Sequence, residues 1–158
     1  MTVFRAAARV RSTDIDGDGI VNNAVYFQLQ EEGRVELLLE LEMLTDDARD
    51  AEYARTFTVA ETACRFYAPV YWPASLEVET RITQLGRSSF RLEYHIFDNE
   101  TRELKSEGYS AQVWLDPEGR PIPIPEAGRR HLEAALEESI MRKPWATAVP
   151  ASSPAKGV

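Results

Sequence analysis

From Thr56 onward the chain runs through apolar/polar alternations separated by turn residues, and only one long helical pattern precedes them. Thr58, Ala60, Thr62, Cys64 and Phe66 form one face of the first run, which Pro69 and Pro73 end. Leu76, Val78, Thr80 and Ile82 form the next, with Gly86 at its turn. Phe90, Leu92, Tyr94 and Ile96 alternate with Arg91, Glu93 and His95, and Asp98 and Asn99 close a hairpin into Thr101 to Leu115. The inward face of that last run is predicted as Tyr109, Ala111, Val113 and Leu115. Ahead of the runs, Phe4, Ala6, Ala8 and Val10 alternate with Arg5, Arg9 and Arg11 as a half-buried strand. Tyr26, Leu29, Gly33, Leu37, Leu41 and Leu44 then recur at helical spacing, with Asn22 or Asn23 available as N-cap. A strand, one long helix and a meander of strands give an α+β chain in which one curved antiparallel sheet must cover the helix.

Gly33 bears on that packing, because a mid-helix glycine costs roughly 1 kcal/mol against alanine and predicts a close approach of the sheet. After the meander, Asp116, Pro117, Glu118 and Gly119 make a turn and Pro121 to Pro125 is held extended by its prolines. A second helix is predicted from Glu126 to Met141, with Leu132, Leu136 and Ile140 as its apolar stripe and Arg129 and Arg130 solvated. Residues 1–142 read as a single domain, and 143–158, rich in Ala, Pro and Ser, as a disordered tail.

Chemistry concentrates between Asp14 and Glu32, where carboxylates and glycines run directly into the helix start. Such a helix end carries unpaired N–H groups that can polarise a carbonyl or hold an oxyanion beside those carboxylates. Asp14, Asp16, Asp18 and Gly19 also match the opening of an EF-hand calcium loop, but Val25 stands where the bidentate Glu belongs and a strand precedes the loop. Catalysis therefore ranks above calcium. A solvated Asp/Gly turn is the plainest reading from local chemistry alone.

The chain has 158 residues, 44% hydrophobic and 28% charged, enough for one domain with a sizeable core. Its net charge of −8 argues against nucleic acid held by a broad basic surface, while a local basic patch for a phosphorylated ligand remains compatible. The single cysteine, Cys64, excludes an intramolecular disulfide framework and a Cys-rich zinc site, and its strand setting predicts a small buried hydrophobe. The N-terminal stretch lacks the apolar core of a secretory signal, and no apolar run is long enough to span a bilayer, so a cytoplasmic location without membrane partners is expected.

The stretch V-R-S-T-D-I-D-G-D-G-I-V-N-N-A-V-Y, followed by Glu31, Glu32, Gly33, Arg34 and Glu36, resembles the signature of the hotdog-fold acyl-CoA thioesterases, nearest to the 4-hydroxybenzoyl-CoA thioesterase-like group. The resemblance continues through E-T-A-C-R-F-Y-A-P-V, L-G-R-S-S-F-R-L-E-Y-H-I-F-D and W-L-D-P-E-G-R-P-I-P-I-P, covering Val10 to about Pro125 in matching order. It implies a helix wrapped by an antiparallel sheet, a homodimer with a continuous sheet or a homotetramer, and active sites between subunits. It also implies hydrolysis of an acyl-CoA thioester to a free acid and CoA without metal or cofactor. The family's catalytic carboxylate falls on Asp16 and the amide that polarises the carbonyl on about Asn23. A thioester has a good leaving group, so an activated water or a carboxylate nucleophile facing a stabilised oxyanion suffices.

Asp14 is expected to hold the turn, and Glu31 and Glu32 to be chiefly solvated helix residues. Arg87, Ser88 and Ser89 match the family's contacts to CoA, and Tyr26 completes the substrate-binding candidates; taken alone, G-R-S-S reads as a hairpin turn with an exposed Arg. Two positions depart from the family: Asn23 replaces a frequent His, and Pro73 and Ala74 replace a Gly-Asp pair. A serine-hydrolase elbow is excluded by Phe90 after G-R-S-S, and His95 and His131 sit in ordinary strand and helix settings. The alternatives are an acyl-carrier-protein thioesterase, which needs a basic docking patch, and a non-catalytic module that binds acyl-CoA.

Overall fold

The structure, a computed structural model, describes residues 2–43 and 57–142. Its elements are β1 (Phe4–Arg9), α1 (Asn23–Glu40), β2 (Phe57–Phe66), β3 (Ser75–Leu85), β4 (Ser89–Asp98), β5 (Leu104–Trp114) and α2 (Glu126–Ala134), with a 3₁₀ turn at Ser12–Asp14. The strands form one sheet in the order β1-β3-β4-β5-β2, every pairing antiparallel. One face of the sheet packs on α1, which is the hotdog arrangement. No helix among the described residues is long and apolar enough to cross a membrane.

The helix stripe is as the spacing predicts: Tyr26, Leu29, Gly33 and Leu37 are buried, joined by Gln30 and Leu38. Leu41 is the C-cap, and Leu44 lies outside the described residues. Opposite them stand the fully buried Leu76, Val78 and Ile82 of β3 and Leu92, Tyr94 and Ile96 of β4. A Cβ on Gly33 would lie 2.5 Å from Thr80 Oγ1 and 2.7 Å from Val78 Cγ1, so the predicted close approach is real and leaves no room for a methyl group.

The face predicted for β5 is corrected. Leu104, Ser106, Gly108, Ser110, Gln112 and Trp114 face the helix: Ser110 bonds Tyr94 OH at 2.6 Å, and a Cβ on Gly108 would strike Gln30 of α1. Tyr109, Ala111 and Val113 lie on the other face, where the Arg91 guanidinium covers the Tyr109 ring at 3.9 Å. The reversal arises because the outer face of this strand is partly covered as well, so apolarity does not distinguish its two sides. The face predicted for β2 holds only from Thr62 to Phe66. A bulge at Ala60 sets Glu61 opposite Ala111 and Val59 opposite Gln112, so Phe57 rather than Thr58 points inward, against Phe90 and Trp114.

The second helix ends at Ala134 rather than Met141. Beyond it the chain runs extended, Leu136 bridging beside Ile82 and Glu137 N–H bonding the Ile82 carbonyl at 2.7 Å. Leu136 and Ile140 are exposed, so the expected stripe is reduced to Leu132. The sheet supplies the Ile82 carbonyl and the carboxylates of Glu93 and Glu107 as acceptors that a continued helix would leave unused. Arg129 is not solvated but donates to the carbonyls of Gly86 and Arg87, whereas Arg130 stands in solvent beside Glu126. The predicted tail lies outside the described residues.

Candidate active site

Between β1 and α1 the chain makes a tight loop held by backbone bonds. The Ile15–Val21 bridge closes it, with Asp16 N–H donating to the Ile20 carbonyl at 2.9 Å and Gly19 N–H to the Asp16 carbonyl at 3.1 Å. Gly19 sits at φ +81°, a left-handed conformation that glycine adopts without steric cost. Asp14 is the loop's anchor, as expected of a structural carboxylate: it is buried, accepts Arg11 N–H at 2.8 Å and receives the Arg11 guanidinium at 2.8 Å. Those Arg11 contacts hold its carboxyl below the usual range. With Asp14 already neutralised by Arg11, the three loop aspartates do not converge on a common centre, and no cluster suited to a metal ion occurs among the described residues.

The Asp14 carbonyl accepts Asn22 N–H at 2.8 Å and so positions the helix N-cap. Asn22 is the cap: its Oδ1 takes Ala24 N–H at 2.9 Å, and its carbonyl takes Val25 N–H at 2.9 Å. Asn23 N–H, at the first helical position, has no intrahelical acceptor and stays available at the positive end of the helix dipole. Asp16 uses Oδ1 to accept Asp18 N–H at 2.8 Å, an Asx turn that fixes the side chain while Oδ2 has no partner among the described residues.

Asp16, Asn23 and Tyr26 line a single cavity of about 410 Å³, together with Ile20, Val21, Phe66 and the Tyr67–Pro69 segment after β2. The Tyr26 ring meets the Phe66 ring edge-on at 4.9 Å, and burial pushes its phenol up to about 12. Burial likewise pushes the Cys64 thiol up to about 11, leaving a neutral group that packs against the core as its strand setting predicts. The residues lining the cavity include a carboxylate with one unpartnered oxygen, the first residue of the helix and an apolar wall, a set able to activate or deliver a nucleophile toward a polarised carbonyl.

Arg87, Ser88 and Ser89 are not at this cavity. They form the β3–β4 turn at the opposite end of the sheet: β3 begins at Ser75 beside Arg9, on the Asp16 side, and ends at Leu85. Its eleven residues span roughly 35 Å at about 3.3 Å per residue. The turn is rigid, because its Arg87 carbonyl accepts Ile124 N–H and its Ser88 carbonyl accepts Trp114 N–H. The exposed Arg87 guanidinium has no partner among the described residues. Glu31 and Glu32 are exposed and border a different groove, between β1 and α1.

A buried ionic cluster escaped the sequence reading. On the outer face of the sheet, Glu107 is fully buried and receives Tyr67 OH, Arg65 Nη1 at 3.2 Å, His95 Nε2 at 3.2 Å and Arg142 N–H at 3.1 Å. Burial pushes the Glu107 carboxyl up, but the Tyr67, Arg142 and His95 bonds outweigh it and hold the group below its ordinary value. Burial lowers His95, against the pull of Glu107. The signal available in sequence was the pair of charged residues inside strand alternations, which in isolation reads as a solvated face.

A profile of the thioesterase-like superfamily matches residues 10–136. The acyl-CoA thioester hydrolase YbgC of Escherichia coli O157:H7 is 30% identical over 127 residues, covering 80% of this chain and 92% of that protein. A thioesterase from Thermus thermophilus, crystallised with coenzyme A and Zn, superposes with a TM-score of 0.68 at 32% identity, covering 82% of this chain and 96% of that one. The chloroplastic acyl-acyl carrier protein thioesterase ATL3 of Arabidopsis thaliana is 29% identical over 77% of this chain, which spans 63% of that relative's length. With this fold and this pairing of a carboxylate with a helix N-terminus, the chain belongs to the thioesterase-like superfamily.

Proposed function

We propose that this protein is an acyl-CoA thioesterase, with Asp16 as general base or nucleophile and Asn23 N–H polarising the thioester carbonyl. The observation that carries this reading is the shared cavity, lined by the carboxylate residue Asp16 and by Asn23 at the helix start beside an apolar wall. The Asx turn at Asp16 and the Asn22 cap supply the preorganisation such a site needs, since both groups are fixed before substrate arrives. Tyr26 lines the same cavity as a neutral phenol and serves substrate packing. No metal or cofactor is called for by this chemistry.

The site is completed by a second copy of the chain. β1 and β2 are the two sheet edges, and β1 carries Arg5 and Arg9, charges that oppose strand pairing. β2 exposes Thr58, Val59, Ala60 and Thr62, with Glu61 as the single charge in that run. Antiparallel pairing of β2 with its copy would bring each Arg87 turn to the end of the sheet that holds the other subunit's Asp16. Light scattering should report a dimer or tetramer, and a fully active monomer would overturn the shared site. Arg87→Ala should raise KM for acyl-CoA with little change in kcat, because a phosphate contact remote from the thioester binds ground and transition state alike. A collapse of kcat at unchanged KM would remove Arg87 from the phosphate role.

The likeness to ATL3, an acyl-acyl carrier protein thioesterase, supports a second reading, hydrolysis of an acyl-carrier-protein thioester. That reading needs a basic docking surface, and the groove that gathers Arg5, Arg9 and Arg11 also gathers Glu31, Glu32 and Glu36, which cancels its field. Parallel assays with acyl-CoA and acyl-carrier-protein esters, read with a thiol reagent, decide between them. A protein that binds both without turnover would be a binding module.

A further inference from the structure

The Tyr67–Pro69 wall of the cavity is fastened from behind. Tyr67 and Ala68 N–H groups both donate to the Lys105 carbonyl, at 2.8 and 3.3 Å, and Lys105 Nζ reaches the Pro69 carbonyl at 3.3 Å. Those bonds hold the backbone. The Tyr67 side chain is held separately, by the bond from its OH to Glu107 and by the Arg142 guanidinium 5.1 Å from its ring centre. Glu107 has no exposed surface, so its charge depends on the full set of donors, and displacing Tyr67 leaves a buried carboxylate short of one.

One of those donors comes from the segment after α2. Residues 136–142 cross the outer face of the sheet, bonded in turn to the Ile82 carbonyl through Glu137 N–H, to Glu93 through Ser139 Oγ at 2.9 and 3.0 Å, and to Glu107 through Arg142 N–H. Its apolar side chains Leu136 and Ile140 are exposed and Met141 is half-buried, so polar bonds supply most of what fastens it. We propose that Glu107 is a positioning residue for the substrate-binding wall, and that residues 137–142 are a strap that completes its hydrogen bonding and thereby fixes Tyr67. This rests on the reading of the cavity as the thioester site.

Arg142→Pro deletes the strap's donor to Glu107, Tyr67→Phe deletes the hydroxyl at the other end, and Arg142→Ala keeps the N–H while removing the guanidinium. Both Arg142→Pro and Tyr67→Phe should raise KM for acyl-CoA about 3- to 10-fold with kcat within about twofold, the scale of one hydrogen bond felt as uniform binding. Amide exchange at residues 66–70 should quicken in both variants while α1 exchanges as in wild type. Arg142→Ala should show a smaller change in each measurement. Unchanged KM and unchanged exchange would reduce Glu107 and the strap to sheet stabilisers and overturn the proposal, and faster exchange at unchanged KM would overturn it equally. Wild-type protein that turns over no thioester would instead defeat the functional reading, and unchanged exchange alone would then decide against the coupling.

Discussion

Asp16→Asn is expected to fold as wild type and to lose about 10²- to 10⁴-fold in kcat if Asp16 is a base, and more if it is a nucleophile. Asn keeps the oxygen that accepts Asp18 N–H, so the Asx turn survives, while the unpartnered carboxylate oxygen of this cavity-lining residue is replaced by a group that neither takes a proton nor attacks. Asp18→Asn is the control, because Asp18 contributes a backbone N–H to that turn and its carboxylate does not line the cavity. If the loop instead bound calcium, both substitutions would act alike through a lost ion, and excess chelator would abolish turnover. Near-normal kcat in Asp16→Asn, or activity lost to chelation and restored by calcium, would defeat the assignment.

Gly33→Ala should lower Tm by about 4–8 °C, although alanine is the better helix former. The propensity gain is roughly 1 kcal/mol. Against it, the new methyl would stand 2.5 Å from Thr80 Oγ1 and 2.7 Å from Val78 Cγ1, both fully buried on β3 and both β-branched, so neither side chain can turn away cheaply. Overpacking of this kind costs about 3 kcal/mol at the upper end of its usual range, leaving a net loss of about 2 kcal/mol, or about 2–4 °C for each in a chain of this size. Calorimetry that found an unchanged or higher Tm would show that α1 can lift from the sheet without cost, and the tight helix–sheet contact would lose its energetic meaning.

Asp16, Asn23 and Tyr26 were legible together because eleven residues hold all three, and a strand, a glycine-bearing turn and an N-cap suffice to bring them to one cavity. Arg87–Ser89 was legible as a turn but not as a distance. Whether it shares an end of the sheet with Asp16 depends on strand order and length, which no local window contains. His95 read as an ordinary strand residue and Glu107 drew no reading for the same reason: their burial depends on Tyr67, Arg65 and a segment more than thirty residues further along the chain.

The sequence by itself determined the element types, the helix stripe and the local chemistry of the loop, since periodicity, capping and turn preferences act over a few residues. Gly33 belongs with these, its cost in a helix foretelling the sheet's approach. Tertiary structure alone decided which face of β5 meets the helix, where a bulge reverses β2, and that α2 gives way at Ala134 to a strap. In each case the local preferences are close to balanced, and the decision falls to backbone acceptors, partner strands and covered faces contributed by distant parts of the chain.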